Sequence, residues 1–80
     1  MKILFYGRLG EAIGREIDFD PGTAQTVGAL KEALVAAWPE HAAELLSERS
    51  KTVIADAFVH DDASLAGISH IEFLPPVSGG

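Results

Sequence analysis

One apolar stripe with helical spacing runs through the chain, and it limits the folds open to it. Val27, Leu30, Leu34 and Trp38 follow one another at steps of three, four and four, which puts them on one side of a helix. Gly28, Glu32 and Ala36 face away from that stripe. Thr26 is the expected N-cap. Pro39 ends this helix and can open a second, short one over residues 39–46 as its first residue. Most of the remaining apolar residues fall in short β-prone runs, so the stripe needs a sheet to cover it.

The strands follow from alternation. Lys2–Tyr6 reads as a strand with Ile3 and Phe5 on one face and Leu4 and Tyr6 on the other. Residues 7–14 form a connection with room for a helical turn. Residues 15–20 ("REIDFD") alternate strictly, Ile17 and Phe19 against Glu16, Asp18 and Asp20, as in a strand with one wet face. Asp20-Pro21-Gly22 is turn chemistry. After the helices come a polar loop (47–51), a strand at 52–55, a tight turn at Asp56-Ala57 into Phe58-Val59, a second loop (60–67), and a last strand at 70–74. The expected class is α+β: a mixed sheet of about five strands, one main helix across one face, and the first and last strands paired in parallel at the centre. Ile3, Phe5, Ile17, Phe19, Val27, Leu30, Leu34, Ile71 and Phe73 are the expected core.

Eighty residues make one domain, read as residues 1–74 with an extended tail at 75–80. There is no cysteine, which removes disulfides, thiolate metal sites and thiol nucleophiles. "MKILFYG" opens like a signal peptide, but its apolar run is too short. No stretch approaches the roughly 20 apolar residues of a membrane span, so a soluble, cytoplasmic protein is expected. Six Lys and Arg stand against twelve Asp and Glu, for a net charge of −6. The cations are scattered, which disfavours nucleic acid; a basic protein surface is the more natural partner.

Little in the chain reads as an active site. His41, His60 and His70 show no ligand spacing, so no metal is expected. Asp61-Asp62 reads as a solvated turn. Gly7, Gly10 and Gly14 match neither phosphate-loop pattern, and no serine has a convincing base nearby in sequence. Two features remain. If Ile3, Phe5, Ile71 and Phe73 face the helix, then Leu4, Tyr6 and Leu74 lie side by side on the opposite, wet face, with Phe58 as an extension; such a patch implies a partner. The other feature is the ending "LPPVSGG". Pro75-Pro76 stiffens the arm and stops it continuing the sheet. From Leu74 to Gly80 it spans at most about 20 Å. Val77, Ser78, Gly79 and Gly80 are slim enough to thread a tunnel and expose a carboxylate to another protein's groups.

With "ILFYGRLGEAIG" at 3–14, "TVGALKEAL" at 26–34 and "FLPPVSGG" at 73–80, the whole chain resembles the small subunit of molybdopterin synthase, the MoaD-type sulfur carriers of the ubiquitin-like superfamily. The resemblance implies a ubiquitin-like β-grasp fold. It implies that an E1-like adenylating enzyme (MoeB-type) activates the Gly80 carboxylate with ATP, that a sulfur donor protein converts it to a thiocarboxylate, and that Pro75 through Gly80 insert into the synthase's large subunit (MoaE-type). There the sulfur would pass to the molybdopterin precursor. The chain itself would bind no cofactor, and the family's contact surface maps onto Tyr6, Phe58 and Leu74. Sulfur carriers for thiamin synthesis share the fold and the Gly-Gly end but typically not this proline-rich form; tRNA thiolation and protein tagging are further uses of such a tail. Two positions depart from the family: Ile68-Ser69-His70 follows Gly67 where Asp-Glu is usual, and Asp56 stands where Asn is usual.

Overall fold

The computed structural model describes residues 1–75. Nine elements follow in order: β1 (Lys2–Phe5), α1 (Arg8–Ala12), β2 (Glu16–Asp18), α2 (Val27–Ala37), a 3-10 turn (Pro39–His41), α3 (Ala42–Leu45), β3 (Lys51–Ile54), β4 (Ala57–Val59) and β5 (His70–Leu74). The strands form one sheet in the order β2-β1-β5-β3-β4. β1 and β5 are parallel, with Ile3 opposite Ile71 and Phe5 opposite Phe73; the other pairs are antiparallel. This is the expected β-grasp arrangement.

Parity makes the sheet two-faced. Ile3, Phe5, Ile71 and Phe73 point to one side with Thr52 and Ile54, and all six are buried. The Phe5 and Phe73 rings stack with centroids 5.6 Å apart. Val27, Leu30 and Leu34 of α2 are fully buried in the same core. Each such side chain contributes about 1.5–3 kcal/mol by leaving water.

The ends of α2 are closed by identifiable groups. Thr26 is extended at φ −132° and ψ 163°, and its Oγ1 accepts from the Ala29 N–H at 3.2 Å. The Val27 and Gly28 N–H groups donate to the carbonyls of Ala63 and Asp61 at 3.0 and 2.8 Å, so the loop after β4 satisfies donors that a helix start otherwise leaves to water. Gly28 is needed for this approach, because a Cβ there would lie 3.3 Å from both the Asp61 carbonyl oxygen and its Cβ. One turn on, the buried Lys31 ammonium donates to Asp61 Oδ1 at 2.8 Å. Asp61, read from sequence as a solvated turn residue, thus holds the loop to the helix through both backbone and side chain.

Several expectations are corrected. Ile17 and Phe19 are only partly buried, because β2 is an edge strand with β1 as its single neighbour; Phe19 instead tilts against Trp38 at 6.1 Å. Leu9, Leu45, Ile54 and Leu65 complete the core. β2 is shorter than residues 15–20, although backbone bonds from Phe5 N–H to Arg15 and from Phe19 N–H to Met1 flank its ladder. Residues 39–46 are not one helix: proline pushes the preceding residue out of the helical region, Trp38 sits at φ −130° and ψ 69°, and the chain restarts as a 3-10 turn before α3.

The β3–β4 turn also shifts by one residue. Ala55, expected in the strand, and Asp56 are the two turn residues, both at positive φ (51° and 66°). A two-residue hairpin of this hand favours Asn-Gly, and alanine has no side-chain bond to offset the left-handed conformation. The double substitution Ala55→Asn/Asp56→Gly is expected to raise unfolding stability by about 1 kcal/mol, measured as a higher urea midpoint. An unchanged or lower midpoint would show that the turn is not strained.

Candidate functional site

Among the described residues no helix or strand lies across the face of the sheet opposite α2. Its register aligns Glu16, Leu4, Glu72, Val53 and Phe58 across all five strands, through the pairs Leu4–Glu16, Leu4–Glu72, Val53–Glu72 and Val53–Phe58. One row further on, Leu74 pairs with Lys51, and Tyr6, next after β1, donates its N–H to the Phe73 carbonyl at 3.0 Å. The sheet therefore gathers Leu4, Tyr6, Val53, Phe58 and Leu74 on one side. Tyr6 is 44% exposed and Phe58 71%, whereas Leu4, Val53 and Leu74 are half-buried. Exposed aromatics on that scale mark an interaction surface more often than solvation alone does.

Tyr6 and Leu74 are brought together as the alternation predicted. Phe58 stands farther off, on the edge strand, with Lys51 and Val53 of β3 in between. One member was missed. Val53 could have been found by extending the alternation through 52–55. Glu72 shares this face with Leu74 by parity, and its partner is not legible in the sequence: the Tyr6 hydroxyl donates to Glu72 Oε1 at 3.0 Å. This contact joins residues set diagonally on neighbouring strands of one face. The bond and the adjacent negative charge push the Tyr6 phenol above its ordinary value, since the anion would lose the donor and meet a like charge.

The exit of the tail is the second part of the site. Pro75 ends the described chain and lies against Gly7, where a Cβ would come within 3.0 Å of both Pro75 Cβ and Cγ. Pro76, Val77, Ser78, Gly79 and Gly80, predicted to enter a partner, lie outside the described residues.

The other candidates are dispersed. His41 is in the 3-10 turn, His60 follows β4 and His70 opens β5. Among the described residues no group of His, Asp and Glu could hold a metal ion. Gly10 packs on the backbone of β1, where a Cβ would come 2.5 Å from the Phe5 carbonyl oxygen; this glycine serves close packing. Among the described residues no helix is long and apolar enough to cross a membrane.

A sheet face that gathers apolar side chains among charged ones beside the exit of the tail suits a carrier or interaction domain, and the comparisons agree with that class. The ThiS family matches residues 3–80, and the chain belongs to it, a family of ubiquitin-like sulfur carriers. No curated protein matches the sequence. Among solved structures, SAMP1 from Haloferax volcanii is similar, with a TM-score of 0.74 at 26% identity over 99% of this chain and 97% of that one. The sulfur-carrier class expected from the sequence holds at the level of the family.

The single tyrosine makes its environment directly measurable. In an ultraviolet difference titration the Tyr6 phenol is expected to ionise above pH 10, and Glu72→Gln to bring it back toward 10. Superimposable curves for the two proteins would show that the bond does not persist in solution.

Proposed function

We propose that this chain is the sulfur-carrying subunit of molybdopterin synthase, with Gly80 as the group that carries sulfur. The observation that bears most weight is the continuity of the exposed face with the tail: Leu74 belongs to the patch, and the next residue, Pro75, begins the arm. A partner seated on Tyr6, Leu74 and Phe58 would receive the arm without a further change in the domain. The form of the tail, proline-proline-valine-serine-glycine-glycine, favours this branch over the thiamin branch.

The chemistry takes place at the chain terminus, with catalytic groups supplied by partners. An E1-like adenylating enzyme lets the Gly80 carboxylate oxygen attack the α-phosphate of ATP, and pyrophosphate leaves. Sulfide-level sulfur from a donor protein then attacks the acyl carbon and expels AMP, leaving a thiocarboxylate. In the large subunit the thiocarboxylate sulfur attacks a carbon of the molybdopterin precursor and displaces an oxygen substituent there; water then cleaves the acyl C–S bond, which leaves the sulfur on the precursor and returns the Gly80 carboxylate. Proline stiffness lowers the entropy lost on threading, and the glycines let the partner's groups reach the acyl carbon.

The defining experiment incubates the protein with its activating enzyme, ATP and a sulfur donor, and reads intact mass. One sulfur in place of one oxygen is expected. Deletion of Gly79 and Gly80 is expected to leave the unfolding midpoint unchanged and abolish the mass gain; a gain that survives the deletion would remove Gly80 from the reaction. Leu74→Asp introduces a charge into the patch and is expected to weaken binding to the large subunit at least about tenfold, read by calorimetry. Undiminished affinity would move the contact surface elsewhere.

A further inference from the structure

Gly7 and Pro75 meet where the tail begins. Tyr6 donates its N–H to the Phe73 carbonyl, the last such rung between β1 and β5. In a parallel ladder the residue at 75 would next donate to the Tyr6 carbonyl, but proline has no N–H, so pairing stops and the chain is released at that point. Gly7 follows at φ +69° and ψ −142°, a conformation open to glycine and strained for other residues. Its carbonyl accepts from the Glu11 N–H at 3.2 Å, so Gly7 is held from both sides, by the strand before it and by α1 after it. The Pro75 ring fills the space where a side chain on Gly7 would stand, with Cβ and Cγ both 3.0 Å and Cδ 3.7 Å from that position.

The geometry points to Gly7 as a positioning residue for the tail: its bare Cα is the seat of the Pro75 ring, and the seat fixes the direction in which the chain leaves the sheet. This rests on the sulfur-carrier reading. Proline's fixed φ, with a ψ confined to the extended region by the proline that follows in the sequence, turns the position of one ring into the heading of the next residue. A displacement of about 1 Å at a reacting group costs up to about a hundredfold in rate. Because the apolar face is untouched by a change at Gly7, such a change should act on turnover and spare docking.

The test is a double-mutant cycle in the full-length protein, with thiocarboxylate formation followed by intact mass under the activating enzyme, ATP and a sulfur donor. Gly7→Ala is expected to lower kcat about tenfold with KM unchanged. In the Pro75→Gly background, where the ring is gone, the same change is expected to cost less than about twofold. The urea midpoint should fall with Gly7→Ala in both backgrounds, because strain at positive φ does not depend on residue 75. Equal kinetic losses in the two backgrounds, or none in either, would overturn the seat. A second variant avoids the strained position: Pro75→Val restores the N–H and lets the ladder run on. It is expected to lower kcat without lowering the midpoint, and unaltered kinetics would also overturn the inference. If the unsubstituted protein gains no sulfur, the sulfur-carrier reading fails first; if it does and the cycle shows no coupling, only the role of Gly7 fails.

Discussion

The parallel pairing of β1 with β5 joins the first and last strands of the sequence at the centre of the sheet. Such a pair cannot be closed by a tight turn; α2, between β2 and β3, carries the chain from one side of the sheet to the other so that β5 can return beside β1. The stacked rings of Phe5 and Phe73 and the opposed Ile3 and Ile71 fix its register. A slip of β5 by one residue would turn Ile71 and Phe73 into water and Glu72 into the core. The outer face owes its apolar composition to that same register.

Elements with a strong period were legible in the sequence. The stripe on α2, the Thr26 cap and the alternation in β1 and β5 gave the layers, the crossover and most of the core. What escaped depends on neighbours in space. Ile17 and Phe19 alternate as well as any core residues, but alternation does not reveal that a strand is at an edge. Leu65 sits in a polar loop and is buried because that loop is drawn onto α2 by Asp61, Ala63 and Gln25. Gly28, read as a residue on the outer side of the helix, is the point where that loop touches.

The candidate site shows the same division. Tyr6 and Leu74 follow from strand parity. The bond from Tyr6 to Glu72, and the place of Pro75 against Gly7, join residues more than sixty positions apart, a relation that neither spacing nor composition carries. Family membership then supplies the class of chemistry. On the proposed reading the domain would contribute a surface and a heading, and the reacting group would be carried on the backbone. A chain without cysteine can therefore carry sulfur.

The central place of β5 has a mechanical side. A partner that draws the arm inward applies its load at Pro75, along the axis of a strand flanked by β1 and β3. Force in that direction shears the rungs on both sides together, whereas force on an edge strand can part them one at a time. A pull on the C-terminal end of β5 therefore meets two ladders at once.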